Sequence, residues 1–165
     1  MKDKMRRFKQ LLPDSETKSI LNTATNGILS LTGPDGTPYG VPLSFVYDGG
    51  SAIYFHSARN GYKMECIEAD SRCSFCVVGQ DMIVADEFTS YFRSVIAEGR
   101  INVVTEETEI RKGLDLLCEK YSPGVDSTDE INKCLNHVAV LRLDIIRMTG
   151  KEAIELVRMR EKKKD

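Results

Sequence analysis

Most of the chain has the hydrophobic pattern of β-strands. Short apolar and β-branched runs, bounded by glycine, proline and aspartate, predict six strands, at residues 27–32, 39–47, 52–56, 72–79, 90–104 and 137–150. Tight turns at 33–36 and 48–50 join the first three strands, which predicts an antiparallel meander. Pro42 predicts that the second strand lies at an edge or contains a bulge, and Gly99 predicts a bulge or bend in the fifth strand.

Helical patterns occur between and after these strands. A helix is predicted to begin at residues 13–16 and to be ended by Gly27, a short helix covers 64–70, and the acidic segment 81–89 is predicted to be a loop. The clearest amphipathic pattern lies in 106–123, whose apolar face contains Ile110, Leu114, Leu117 and Cys118. Further helices are predicted at 126–136 and in the tail after residue 150. Because hairpins replace βαβ alternation, we predict a mainly β (α+β) fold, an antiparallel barrel that is closed or partly closed and has peripheral helices.

Length and charge limit the class of protein. The 165 residues fit one domain, 1–165, in which 1–12 and 155–165 are predicted to be flexible or peripheral ends. A formal net charge of −2 gives no overall attraction to nucleic acid or to an anionic membrane. No apolar run approaches the roughly 18 residues that a membrane-spanning helix requires. We therefore expect a cytoplasmic protein that binds neither nucleic acid nor membrane.

The five cysteines do not have the pattern of a secreted disulfide framework, because their number is odd and their spacing is irregular. Cys73 and Cys76 form a CxxC motif, which also occurs in redox pairs and zinc sites. Three residues apart on a strand, their side chains would point to opposite faces, and no second such motif accompanies them. We interpret them as buried structural residues and predict no metal site.

The segment IYFHSARNGYK, at residues 53–63, is a candidate anion-binding element. One of the two histidines, His56, stands where a strand ends, and a glycine-containing loop and Lys63 follow it. Gly61 lets the backbone approach a ligand closely, and a lysine is a flexible point charge suited to phosphate. The alternative is that His56 is a polar residue at a strand end and that Lys63 is a surface charge. The common nucleotide-binding motifs and the GxSxG elbow are absent from the sequence.

The order of motifs along the chain resembles that of a known protein family. PYGVPL at 38–43, IYFHSA at 53–58 with Gly61-x-Lys63, RSVI at 93–96 with Gly99-Arg100, and TGK at 149–151 follow one another. In this order they resemble the flavin-binding split-barrel proteins related to pyridoxamine 5′-phosphate oxidase, and among them the 5-nitroimidazole-resistance (Nim-type) branch. The resemblance implies a six-stranded antiparallel split β-barrel that forms a homodimer, with FMN in a cleft between the subunits.

The resemblance also implies roles for individual residues. His56, Ser57 and Ala58 would lie along the flavin ring, with Leu43 and Val95 near it. Lys63 would contact the phosphate, and Arg93 and Ser94 would contribute from the neighbouring strand. Lys151 would approach the same site, with the partner subunit as one candidate source. His56 would lie beside the reactive part of the flavin, so it is the candidate catalytic residue.

The function that these residues predict is an FMN-dependent oxidoreductase acting on a small organic molecule. Reduction of a nitroimidazole or another nitro-aromatic compound is the most specific version, with NADH or NADPH as candidate electron donors. The first alternative is a flavin-binding, flavin-storage or redox-sensing module with little turnover. Two further alternatives are pyridoxamine 5′-phosphate oxidation and a barrel that binds haem or a deazaflavin.

Overall fold

The computed structural model describes residues 5–135 and 137–162. Within these residues the fold is mainly β, with one antiparallel sheet of seven strands in the order β2-β1-β5-β6-β7-β4-β3. The strands are β1 Asn26–Thr32, β2 Pro38–Ser44, β3 Val46–Tyr47, β4 Ala52–Ala58, β5 Arg72–Val84, β6 Thr89–Val103 and β7 Val138–Glu152. The predicted mainly β, antiparallel class is therefore confirmed, although the strand count is seven rather than six.

Five α-helices surround the sheet in the described part of the chain, as the sequence predicts. They are α1 Asp14–Thr23, α2 Tyr62–Ala69, α3 Glu107–Tyr121, α4 Thr128–Cys134 and α5 Ile154–Lys162, with short 3-10 turns at Phe8–Gln10 and Ala85–Glu87. The first helix ends at Thr23 and not at Gly27, which lies inside β1. A Cβ atom on Gly27 would lie 2.5 Å from the ring of Phe75, so this glycine permits close strand packing instead of ending a helix. Residues 1–4 and 163–165 of the predicted ends, and residue 136 of the helix predicted at 126–136, lie outside the described residues.

The predicted second strand is divided at Phe45, and this explains the extra strand. The residues before it form β2 and those after it form β3, and the two lie at opposite edges of the sheet. The predicted three-stranded meander is therefore wrong; β1–β2 and β3–β4 are separate hairpins. Phe45 is fully buried, and the Tyr121 hydroxyl accepts a hydrogen bond from its N–H at 2.8 Å. Because one residue links both edges, the sheet curls back on itself, yet no ladder joins β2 to β3 and the barrel is not closed. Pro42 lies on an edge strand, as predicted.

The predicted loop at 81–89 is largely a hairpin. β5 continues to Val84 and β6 begins at Thr89, so only a short 3-10 turn separates them. The run Met82–Val84 has β-forming residues, whose ladder with β6 outweighs the acidic neighbours that suggested a loop. The bulge predicted at Gly99 is confirmed, because the β6–β7 register shifts between Glu98 and Gly99.

The buried residues form two clusters on the two faces of β4. Ile53 and Phe55 belong to the main cluster inside the curled sheet, whereas Ala52 and Tyr54 belong to a smaller cluster under α3 and α4. Every second residue of β4 thus faces α3 and α4, and this alternation fixes the direction of His56.

One part of the sheet's outer face stays apolar and exposed. We call it the outer apolar face, and it consists of Ile28, Cys76, Val78 and Ile96 of β1, β5 and β6. The exposed fractions of Ile28, Val78 and Ile96 are 42%, 60% and 42%. An apolar row of this kind on three adjacent strands is typical of an interaction surface.

The segment before α1 packs at the far end of β7. Leu12 is buried and its N–H donates to the carbonyl of Gly150 at 3.0 Å, while Leu11 pairs with Lys151. Among the described residues, no helix is both long enough and apolar enough to cross a membrane.

Candidate functional site

The HSA motif, residues 56–58, lies at the end of β4. Successive side chains of a strand point to opposite faces, so the Ser57 side chain lies on the other face from those of His56 and Ala58. His56, Ser57 and Ala58 pair with Val140, Ala139 and Val138 of β7. Ser57 is buried, whereas His56 and Ala58 are exposed. The His56 side chain faces α3 and α4 and has no hydrogen-bond partner within the described residues. An accessible imidazole of this kind is available to form a hydrogen bond with a ligand.

Lys63 lies in the first turn of α2, directly after the loop that follows the HSA motif. Gly61 has φ +105°, a backbone conformation that residues other than glycine rarely adopt. It lies directly before α2 and directs the chain into that helix. Burial lowers the pKa of Lys63, because its ammonium group is partly removed from water. In the described chain Lys63 forms no ion pair. A partly desolvated cation without an acidic partner is suited to binding an anion.

A second group of predicted site residues lies on β6 and β7. Ser94 pairs with Lys151 and Val95 with Gly150. Val95 is fully buried in the main cluster, whereas the Lys151 Nζ lies 5.2 Å from the ring centroid of Phe92 on the face that Ser94 shares. Leu43, on edge strand β2, is half-buried and packs against the main cluster.

Arg93 is held by a buried carboxylate that the sequence analysis missed. Glu152 is fully buried, and its Oε2 lies 3.4 Å from the Arg93 Nε. Its Oε1 lies 2.7 Å from an Nη atom of Arg160, on α5. Glu152 directly follows the TGK motif on β7, and the available signal was the strand alternation, which places it on the same face as the buried Gly150. Arg93 therefore has an acidic partner within the chain, unlike Lys63, although it shares the single charge of Glu152 with Arg160.

The two groups of site residues lie at opposite ends of β7. His56 pairs with Val140, and Ser94 pairs with Lys151, eleven residues later, or about 36 Å of extended strand. β7 also separates β6 from β4, so Arg93 and Ser94 do not lie on the strand next to the HSA motif. One copy of the chain thus does not bring all predicted site residues together.

The cysteines are all free thiols in the structure. Cys73 packs against the main cluster and Cys76 lies on the outer apolar face, so the two point to opposite sides of β5. Burial raises the pKa of Cys73 to about 12 and raises that of Cys76 as well, so both thiols stay protonated at neutral pH. Within residues 5–135 and 137–162, no group of three or more His, Cys, Asp or Glu side chains could hold a metal ion.

Comparison with solved structures shows the same fold in several proteins. A proposed 5-nitroimidazole antibiotic resistance protein from Bacteroides thetaiotaomicron is 23% identical, with 86% of each chain covered and a TM-score of 0.74. The flavocytochrome Anf3 from Azotobacter vinelandii is 22% identical over 91% of this chain and 72% of its own, with a TM-score of 0.72. An FAD-binding protein from Mesorhizobium loti is 24% identical over 87% of this chain and 96% of its own, with a TM-score of 0.61.

No curated protein sequence matches the chain. The family model for pyridoxamine 5′-phosphate oxidase matches residues 13–152. This segment contains α1, all of the strands described above and every motif from PYGVPL to TGK. The chain therefore belongs to the pyridoxamine 5′-phosphate oxidase family.

Proposed function

We propose that the protein is an FMN-dependent oxidoreductase that passes electrons to or from a small organic molecule, with a nitro-aromatic compound as the most specific acceptor. The observation that carries the proposal is the unpaired, partly desolvated Lys63 on the loop that follows the accessible His56. The solved structures with the same fold include a flavocytochrome and an FAD-binding protein, which supports a flavin. The motif order specifically resembles the FMN-binding split barrels, which favours FMN over FAD.

The proposed site needs two copies of the chain. HSA and Lys63 lie at one end of β7, and Ser94 and Lys151 at the other, so both groups can reach one flavin only if they come from different copies. The outer apolar face lies beside Ser94 and provides an exposed surface for this contact. We therefore propose a homodimer in which two curled sheets pack as a split barrel with two equivalent sites.

Within each site the cations have different roles. Lys63 is the proposed phosphate ligand, because it has no acidic partner in the described chain. Lys151 shares a face with Ser94 and would come from the second copy. Arg93 is bound to Glu152, so we assign it to the structural support of this strand end instead of direct phosphate binding.

A bound flavin would supply the oxidation and reduction chemistry of the site. His56 would lie beside the acceptor and exchange a proton with it as electrons arrive. Ser57 and the backbone at the end of β4 would face the ring's polar edge and fix its orientation. The free thiols fit a reducing compartment, and we propose a cytoplasmic location.

Replacing Lys63 with alanine should weaken FMN binding by roughly 1.5–3 kcal/mol, or about 10- to 150-fold, because it removes a charge-assisted contact to the phosphate. The affinity of the parent protein should also fall as pH rises, since burial lowers the pKa of Lys63 and the neutral amine cannot pair with phosphate. Lys63→Arg should keep the affinity and remove the pH dependence. Flavin fluorescence titrations from pH 7 to 10 measure both effects; equal affinity of Lys63→Ala and parent protein would contradict the assignment.

The function itself is tested by spectroscopy of the purified protein. We expect a flavin spectrum and released FMN by mass spectrometry, anaerobic reduction by NADH or NADPH, and reoxidation by a nitroimidazole. His56→Ala should retain FMN and lose most of the reoxidation rate. A bound flavin that no acceptor oxidises faster than buffer would indicate a storage or sensing module. Bound haem, deazaflavin or FAD in place of FMN would overturn the cofactor assignment.

A further inference from the structure

A cavity of about 280 Å³ lies beside His56, between β4, α3 and α4. Its apolar wall contains Leu114 and Leu117 of α3 and Val138 of β7. Cys134 and Glu130 of α4 form the opposite side. The cavity thus connects the accessible imidazole with a largely apolar space that the flavin assignment does not use.

Few polar groups in this cavity are available to a ligand. The Tyr121 hydroxyl, which also borders it, accepts from the N–H of Phe45 at 2.8 Å and directs its one proton at the carbonyls of Thr25 and Phe45, which lie at 2.5 and 2.9 Å. The Glu130 Oε1 accepts a hydrogen bond from the Cys134 Sγ at 3.7 Å. The free hydrogen-bonding side chains of the described lining are therefore the imidazole of His56 and the hydroxyl groups of Ser44 and Ser122, all of which are uncharged or weakly charged groups without an acidic or basic partner.

The charged groups that line the cavity disfavour an anionic ligand. The lining includes the carboxylate of Glu130, and among the described residues that line it there is neither a lysine nor an arginine. A phosphate group placed here would meet a like charge and no cation to replace its hydration, which is costly. The volume corresponds to about nine water molecules, enough for a single-ring compound but small for a larger ligand.

We propose that this cavity binds a small, uncharged ring compound beside His56 and excludes phosphorylated substrates, including pyridoxamine 5′-phosphate. The proposal rests on the proposed function, since it gives the substrate class of the site that contains His56. α3 and α4 are then the elements that determine specificity, with Glu130 rejecting anions and Cys134 limiting ligand size. The substrate of this protein would therefore differ from pyridoxamine 5′-phosphate, the substrate after which its family is named.

Isothermal titration of FMN-free and FMN-loaded protein with 2-methyl-5-nitroimidazole and with pyridoxamine 5′-phosphate tests this cavity. Two variants probe its charge. Glu130→Lys places a cation in the cavity, whereas Asp129→Lys makes the same charge change at the exposed neighbouring position of α4, which does not line it. A third variant, Cys134→Phe, fills the space.

We expect the nitroimidazole to bind the parent protein at least tenfold more tightly than the phosphorylated compound. Glu130→Lys should raise the affinity for pyridoxamine 5′-phosphate at least tenfold and Asp129→Lys should not. Cys134→Phe should weaken nitroimidazole binding at least tenfold and leave FMN affinity unchanged. Equal binding of both compounds to the parent protein, or equal effects of the two lysine variants, would overturn the proposal. If FMN does not bind the parent protein, the proposed function fails; if FMN binds but these responses are missing, only the cavity assignment fails.

Discussion

Gly99→Ala should lower the free energy of unfolding by about 3 kcal/mol, because the new methyl group has no space at the β6–β7 bulge. A Cβ atom at this position would lie only 2.0 Å from the backbone oxygen of Asp144 and 3.1 Å from a methyl group of Leu143. The nearest atom belongs to the backbone of β7, which is paired on both sides, so relief requires a shift of that ladder and not a change of rotamer. Urea unfolding of the two proteins under identical conditions measures the difference.

Gly40→Ala is the matched control for this prediction. Gly40 also lies in a strand, but it is exposed on edge strand β2, and its Cβ atom would meet only a methyl group of Ile28 at 3.5 Å. We expect this variant to change stability by less than about 0.5 kcal/mol. If Gly99→Ala is no more destabilising than Gly40→Ala, the close approach of β6 and β7 is not a constraint on the fold.

Glu152→Ala should cost about 3–5 kcal/mol, because it removes the carboxylate shared by two arginines. Glu152 is fully buried and accompanied by Arg93 and Arg160, and without it both guanidinium groups lose their nearest anion. The same loss should release α5 from the end of β7, since Arg160 lies on that helix. Chemical denaturation measures the stability, and amide exchange of α5 reports the local effect.

Glu161→Ala provides the comparison, because Glu161 is an exposed residue of the same helix. This control should change stability by less than about 0.5 kcal/mol. A double-mutant cycle between Glu152→Ala and Arg160→Ala should give a coupling energy above about 1 kcal/mol. Additive effects of the two substitutions would show that the buried pair does not link α5 to the sheet.

The local part of the fold was predictable from the sequence because it depends on short-range pattern. The amphipathic stripe of α3, the hairpin turns and the edge position of Pro42 each follow from residues close together in the chain. The division at Phe45 was not predictable in this way. Residues 39–47 read as one continuous strand, and only the burial of Phe45 against Phe75 and Tyr121 directs the two halves to opposite edges. Residues 82–84 were predicted to lie in a loop because the segment is acidic, but their pairing with β6 makes them part of β5.

The candidate site was predictable only in part for the same reason. His56 and Lys63 are neighbours in sequence, so the motif itself indicated one site element. The distance between this element and Lys151 depends on how β4 and β6 pair with the two ends of β7, which no local pattern specifies. The ion pair between Arg93 and Glu152 likewise joins residues far apart in the chain, and it gives Arg93 an acidic partner that the sequence did not indicate.

The central claim is that each flavin lies between the Lys63 end of one chain and the Lys151 end of another, and mixed dimers test it directly. Chains carrying Lys63→Ala and Lys151→Ala, each with a different affinity tag, are coexpressed, and the dimer that contains both is isolated and titrated with FMN. We predict one site per mixed dimer with the affinity of the parent protein, although either variant alone binds weakly at both sites. A mixed dimer with two weak sites, or a monomer that binds FMN as tightly as the parent protein, would contradict the account.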